Sequence, residues 1–424
     1  MDPQRYLQKH IKGGSRIQEF PDINLGMVII IPSYKEPRLM QTLDSLCQTD
    51  KPSQSVEVLV VLNCAEHEQE QIQEMHLMQY YEIKKKFNQL DHWLKIIPLP
   101  PEVMVDRTAG VGMARKIGMD EAVLRFASLG KEGIIINLDA DCLVAHDYLI
   151  QVERTFKEDN AVQALSIGFR HHSQSCNEME IQAMLEYELH LRLYINWQKH
   201  FGYPFAYQTL GSCFAVRSAG YRSQGGMNKR KAGEDFYFLH KFSVIGKLKS
   251  LDIPLVFPSG RSSDRVPFGT GRAIGQQIQL SRFERGILTY SPMAVGIYCQ
   301  QVDILAGAFK ELKEEGKSWK LFIQNPKMRT FLEHRSFDGV LESVLINSGN
   351  AMNFSKRLFQ FFDPFLMMKF LHQWQTDGYP KISVMNSFYQ FTAEKGYRQD
   401  LLKIETPKEA LKWMQTWDYP TFKD

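Results

Sequence analysis

The chain has no CxxC pair, no internal repeat, no low-complexity linker and no apolar run near the roughly 20 residues a membrane span needs. Its cysteines, Cys47, Cys64, Cys142, Cys176, Cys213 and Cys299, are scattered in or beside apolar runs, which excludes a disulfide scaffold or a zinc knuckle and suits reduced thiols in a reducing compartment. Residues 1–14 are polar and lack the apolar stretch of a secretory signal. Charge of one sign is also missing. Lys and Arg number 51 against 48 Asp and Glu, a formal net charge of +3, so no global field marks nucleic acid or an anionic membrane as partner. These absences leave a cytoplasmic protein as the expectation.

What is present is ordinary globular material: 424 residues, 44% hydrophobic and 23% charged, enough for a substantial core. Residues 26–32 (GMVIIIP) form a β-branched run closed by proline, the pattern of a strand buried on both faces. Leu39, Leu43 and Leu46 then recur at helical spacing over 38–49, and residues 55–63 (SVEVLVVLN) return to strand character, which makes a parallel βαβ unit. The spacing of Ile72, Met75, Met78 and Tyr81 predicts an exposed helix over 65–91. A short strand follows over 95–99, a helix over 112–129 and a buried strand over 133–138 (GIIINL). Met184, Tyr187, Leu191 and Tyr194 mark a helix over 178–199. Beyond Arg272 the pattern turns helical, with Thr406 to Glu409 as a capping box and Pro407 in the first turn. The expected organisation is an N-terminal segment 1–25, an α/β domain 26–274 and a mostly helical C-terminal extension 275–424.

Several constellations stand at strand ends. Asp139-Ala140-Asp141 follows the strand 133–138, so both carboxylates reach past its end, where open α/β sheets bind ligands. Two carboxylates suit a hard divalent ion, Mg²⁺ or Mn²⁺, that takes its remaining ligands from water and phosphate. Pro32-Ser33-Tyr34-Lys35-Glu36-Pro37 follows the first strand and Asn63 the second, so three strand ends turn polar groups to one edge. Tyr34 can stack on a base and Asn63 can read its edge. Residues 110–118 (GVGMARKIG) enter a helix with Arg115 in its first turns. They read either as an anion site or as a hinge with a solvated arginine. Gly233-Glu234-Asp235 opens an apolar helical run, where the acidic pair complements the helix dipole or supplies a general base.

The series PSYKE, Asn63, GxxxARKxG, DAD, GSCFAVR from Gly211, GGM from Gly225 and GED from Gly233 resembles, in kind and order, the family 2 glycosyltransferases of the GT-A nucleotide-diphosphosugar fold, over roughly residues 26–274. That resemblance implies a Rossmann-like, mostly parallel sheet flanked by helices. It places Pro32, Ser33, Tyr34, Glu36, Asn63, Arg115, Asp139 and Gly211 in a nucleotide-sugar site, with Arg115 near the diphosphate. Asp139 and Asp141 match the metal pair, Asp235 the catalytic base, and Glu234 its support or an acceptor contact. The chain departs from the family at Asn63-Cys64-Ala65-Glu66, where an acidic residue and a Gly/Ser turn are usual. It departs again at Lys116, where the family has Asn and where the lysine reads as a cation near phosphate or as a solvated side chain.

The expected activity is metal-dependent, inverting transfer of a sugar, hexosyl in type, from a nucleoside diphosphate sugar, UDP-sugar favoured, to a glycan, lipid-linked or small-molecule acceptor. A lipid-linked acceptor would bring the protein to the inner membrane face. The rivals are a nucleotidyltransferase, which would call for a Gly-rich basic loop where Ser33 to Glu36 stand, and an inactive scaffold of the same fold. Residues 258–272, with Arg261, Arg265 and Arg272, read as a lid over a leaving diphosphate or as a linker. His171 and His172 read as a third metal ligand, an acceptor contact or a solvated pair, and His240 as structural. Trp197, Phe201, Tyr203, Phe205 and Tyr207 read as a stacking platform or as helix-loop packing.

Overall fold

The computed structural model describes residues 3–11, 14–68, 70–87, 93–230, 233–265, 269–280, 286–376, 378–397 and 403–420. Asp91, at the end of the helix expected over 65–91, and residues 266–268 of the loop 258–272 lie outside the described residues. The chain forms two compact units. One comprises Met1–Met184, Thr209–Leu280 and Thr416–Asp424; the other comprises Leu185–Gln208 and Ser281–Gln415.

The first unit is built on one sheet of β1 (Leu25–Ser33), β2 (Ser55–Ala65), β3 (Leu94–Pro98), β4 (Glu102–Met104), β5 (Ile134–Asn137), β6 (Leu143–Val144), β7 (Ala164–Phe169), β8 (Phe214–Arg217) and β9 (Leu248–Phe257). Its helices are α1 (Pro3–His10), α2 (Leu39–Cys47), α3 (Glu70–Phe87), α4 (Val111–Ser128), α5 (Tyr148–Glu158), the first turns of α6 (Glu178–His200), α7 (Ser218–Ser223), α8 (Glu234–Val244) and α9 (Thr270–Gln279). The strand order is β3-β2-β1-β5-β8-β7-β9-β6, with β4 pairing β2. This is the α/β class expected, a mixed, mostly parallel sheet flanked by helices.

Strand β1 is buried along its whole length and pairs in parallel with β2 on one side and β5 on the other, Ile29 lying opposite Val58 and Ile136. A strand covered on both faces can be apolar at every position, which is why its sequence does not alternate. Helix α4 lies on β1 and β2, and Gly118 lets it approach, because a Cβ there would overlap Ile30.

The pairings set strand directions. β5 is antiparallel to β8, β8 to β7, and β7 is parallel to β9. β7 and β9 therefore run with β1, β2 and β5, and all five end at one edge. β8 runs the other way, so the segment entering it, Gly211 to Cys213, begins at that same edge. Strands β7, β8 and β9 were not legible in the sequence: β8 is four residues long, β7 carries Ser166 and Gly168, and β9 is interrupted by Lys249, Asp252 and Pro254.

Two other expectations are corrected. β2 continues to Ala65, paired with β4 through Asn63, Cys64 and Ala65, residues 66–68 form a turn, and α3 begins at Glu70, so the front of the expected helix is not helical. Lys116 is not solvated. It is buried and donates to Asp120 at 2.7 Å, while the other Asp120 oxygen accepts from Tyr6 at 2.8 Å and Tyr221 at 2.7 Å. The buried Tyr6 thereby ties α1, in the polar N-terminal segment, onto α4 and α7.

In the second unit, which holds the rest of α6, Trp197 stacks on Phe201 with centroids 5.6 Å apart and donates to Ser387 at 3.0 Å, and Tyr203 donates to the Phe362 carbonyl at 2.8 Å. The aromatic run is thus helix-loop packing. The remaining structure is helical apart from the two-residue strands Leu288–Thr289 and Ile382–Ser383. The capping box forms before the helix Pro407–Asp418, with Thr406 accepting from Glu409 N–H at 3.3 Å and Glu409 accepting from Thr406 N–H at 3.1 Å. All six cysteines are free. Among the described residues no helix is long and apolar enough to cross a membrane.

Candidate active site

The shared carboxyl edge gathers groups from distant parts of the sequence. β1 delivers Ser33 to Glu36, β2 delivers Asn63, β5 delivers Asp139 to Asp141, β7 leads to His171 and His172, and β9 leads to residues 259–265. Register puts Ser33 beside Leu62, and Leu138 N–H donates to the Ile30 carbonyl at 3.1 Å, which sets the start of the Asp139 turn level with the end of β1. A parallel bridge between His172 and Ser259 extends the β7–β9 pair past the sheet and carries the loop toward the aspartates.

Glu36 is 1% exposed and accepts from both Arg261 and Arg265, the latter at 2.5 Å, and from the Arg38 backbone N–H at 2.9 Å. The same guanidiniums stand 3.8 and 3.7 Å from Asp141. Arg265 also donates to the Tyr34 carbonyl at 3.1 Å. The loop is pinned from behind. Glu180 accepts from Ser262 N–H at 2.9 Å and its hydroxyl at 2.8 Å, while closing a capping box with Asn177 at the start of α6. Arg261 and Arg265 thus sit beside Asp141, whereas Arg272 lies exposed in α9. Glu36 is thus buried beneath the two arginines it binds.

Asp139 accepts from Arg115 at 2.5 Å and its side chain is 39% exposed, whereas Arg115 is buried and also donates to the fully buried Glu234. Burial opposes the charge on Arg115, but Asp139, Glu234 and Asp235 together hold its pKa above the ordinary arginine value. Burial, then Asp139 and Glu36, push the Asp141 carboxyl up to about 6 against the pull of Arg265 and Arg261. Asp235, in the first turn of α8, accepts from the Phe236 N–H at 2.7 Å. Burial and the neighbouring Glu234 push its pKa up to about 7 although Arg115 draws it down. The two carboxylates of the acidic pair are therefore unlike: Glu234 is committed to an arginine, and the Asp235 carboxyl is pushed up to about 7.

Gly211 is explained by packing, since a Cβ there would overlap the Arg115 guanidinium. Ser33 is fully buried with no hydrogen-bond partner for its hydroxyl. Tyr34 is not a free stacking surface. Its hydroxyl donates to Glu68 and the Lys35 ammonium lies 4.8 Å over its ring, with Lys35 held at φ 50, a region non-glycine residues seldom adopt. Asn63 lies further along the edge, buried and in register with Glu102 on β4, outside the carboxylate cluster. Pro32 is buried within β1. His172 approaches the Asp141 carbonyl at 3.4 Å, and burial lowers its pKa, disfavouring the charged imidazolium. His171 meets Thr270, the first residue of α9, at 3.1 Å, and His240 meets Ser243, one turn on in its own helix, at 3.1 Å. Among the described residues no group of three or more His, Cys, Asp or Glu stands together as a metal cage. A cleft of about 650 Å³ beside α2 and β6, lined in part by Gln41, Gln48, His146 and Phe257, does not include these carboxylates.

No protein-family model and no curated protein matches the chain. Solved structures to which it is similar include S. aureus TarS 1–349 in complex with UDP-GlcNAc, at 15% identity and a TM-score of 0.39, covering 80% of this chain and 91% of that one. Another is the mannosyltransferase PcManGT from Pyrobaculum calidifontis in complex with GDP-Man and Mn²⁺, at 14% identity and a TM-score of 0.34, covering 94% and 93%.

The residues that sequence reasoning missed are those that hold others in place. Glu180 and Glu68 lie in charged stretches with no motif of their own. Glu180 carried one readable signal, the spacing of Asn177 and Glu180 at the head of α6.

Proposed function

We propose that the chain is an inverting glycosyltransferase of the GT-A type, moving a sugar from a nucleoside diphosphate sugar, with UDP-sugar favoured, to an acceptor hydroxyl. The observation that carries this reading is the division of charge at one sheet edge: Asp139, Asp141, Arg261 and Arg265 on one side, and the raised-pKa Asp235 at the head of α8 on the other. The arginines suit a diphosphate, which takes their planar forks of donors. Asp235 accepts the proton of the acceptor hydroxyl as its oxygen attacks the anomeric carbon. The bond to the diphosphate breaks in the same step, and the nucleoside diphosphate leaves with the bonding pair. A single displacement inverts the configuration. Arg261 and Arg265 offset the charge that develops on the leaving group.

The residues also fit a divalent ion. The cluster sets the carboxylates of Glu36, Asp139, Asp141, Glu234 and Asp235 against the guanidiniums of Arg115, Arg261 and Arg265, an excess of negative charge that adds to burial in raising the pKa values of Asp141 and Asp235. Asp139 and Asp141 would hold Mg²⁺ or Mn²⁺, with water and diphosphate oxygens completing its shell. When bound, the ion supplies Lewis-acid stabilisation of the leaving diphosphate.

The test is release of nucleoside diphosphate by purified protein with Mn²⁺ from a panel of UDP-, GDP- and dTDP-sugars, with and without glycan and lipid-linked acceptors. Release from at least one donor, accelerated by acceptor, is expected. Silence across the whole panel would overturn the reading.

A further inference from the structure

Arg115 occupies a position that a diphosphate ligand would not. It is 3% exposed, and both terminal nitrogens are already used, one by Asp139 at the end of β5 and one by Glu234 at the head of α8. These carboxylates arrive by unrelated routes, one directly from a strand and the other after the segment beyond α7. The packing around the guanidinium holds it there. A Cβ on Gly211 would overlap it, and a Cβ on Gly112, one turn back on α4, would overlap the Arg230 carbonyl and crowd Glu234. Gly211 therefore closes on the guanidinium itself, and Gly112 lets the segment that leads to Glu234 pack against α4. A guanidinium can hold two carboxylates in fixed directions, which the single head of a lysine does not.

We propose that Arg115 is a positioning residue, a strut that locks the donor-side Asp139 and, through Glu234, the helix start bearing Asp235 into one fixed arrangement. The proposal rests on the glycosyltransferase reading for the roles of those two aspartates. It places Glu234 outside the chemistry: its carboxylate binds Arg115, and Asp235 alone meets the acceptor. It also explains why a sheet edge and a separate helix can present a metal pair and a base in constant register. The single ammonium of a lysine keeps a positive charge beside Asp139 but does not also fix Glu234, so the base drifts while the donor side is held, and the donor is lost to water more often than to acceptor.

The experiment compares the full chain with Arg115→Lys, Gly211→Ala, Glu234→Gln and Glu234→Ala, measuring kcat, donor KM and the ratio of sugar transfer to donor hydrolysis. A misplaced base should lower kcat on the order of 100-fold, with donor KM little changed and the transfer-to-hydrolysis ratio reduced. Gly211→Ala should reproduce the Arg115→Lys pattern without removing any polar group, and Glu234→Gln should retain more transfer than Glu234→Ala. Unchanged kcat, or a loss confined to donor KM, would overturn the strut and make Arg115 a diphosphate ligand. A measurement without turnover separates the two readings: in thermal unfolding, Arg115→Lys and Glu234→Gln combined should destabilise less than the sum of the single changes. Additivity there would overturn the strut. Coupling in a protein that turns over no donor would instead overturn the glycosyltransferase reading alone.

Discussion

At the scale of single residues, the site is a set of charges whose partners decide their roles. Asp235 is the carboxylate best prepared to take a proton, because burial and Glu234 raise its pKa while its recorded hydrogen bond is to a backbone N–H. Asp235→Asn should lower transfer by about 10²- to 10⁴-fold while leaving nucleoside diphosphate binding, measured by calorimetry, nearly intact. Equal loss of both would remove Asp235 from the base role. The pH dependence follows in sign. A base must be deprotonated, so transfer should rise with pH through about 7. A carboxyl with a raised folded pKa binds its proton more tightly when folded, so its contribution to stability is lost as pH rises from its unfolded value of about 4 to about 7. Opposed trends in rate and in melting temperature over that window are the expected signature, and Asp235→Asn should weaken the second, leaving the part that Asp141, raised to about 6, contributes below that pH.

Residue roles were only partly legible beforehand. The GED and DAD motifs pointed to Asp235 and to Asp139 with Asp141 because these residues follow recognisable patterns at element ends. Lys116 was misread because a lysine in a helix carries no sign of whether it faces water. Only the fold shows that Asp120, one turn on, has been buried beside it by Tyr6 and Tyr221.

At the scale of elements, the long, uniformly apolar strands β1 and β2 were readable because burial on both faces leaves no polar position. The strands β7 to β9 depend on neighbours for their structure. Gly168 shows this: the register between β7 and β9 slips on either side of it, and a Cβ there would overlap the Ile253 backbone. Gly168→Ala should therefore destabilise the protein by about 1–3 kcal/mol, the usual range for overpacking, read as a lower denaturation midpoint at unchanged slope. A neutral result would show that the β9 backbone yields at this point. The slip matters for function because β9 carries the chain on to Arg261 and Arg265.

At the scale of the molecule, the sheet unit is assembled from three separate stretches of chain, the last of them Thr416–Asp424. Tyr419 ties that stretch in. Its hydroxyl accepts from Phe169 N–H at 3.0 Å and donates to the Phe169 carbonyl at 3.1 Å, just before the chain turns to His171 and His172. Tyr419→Phe removes both bonds from a buried site and should cost about 1–3 kcal/mol, with thermal unfolding as the measure. An unchanged midpoint would mean that this stretch contributes nothing to the sheet unit.

The sequence by itself determined the class of fold and the location of the polar groups at strand ends, because hydrophobic period and element order are local properties that a sheet of this kind must satisfy. It also marked Asp139, Asp141 and Asp235 as separate carboxylates. Tertiary structure alone decided which guanidinium each carboxylate receives: Arg115 for Asp139 and Glu234, and Arg261 with Arg265 for Glu36 and Asp141. Those pairings join residues up to 229 positions apart, from Glu36 to Arg265. They depend on strand directions set by β8, a four-residue strand with little signal of its own. Charge acts through space, and only the folded sheet brings these charges within reach of one another.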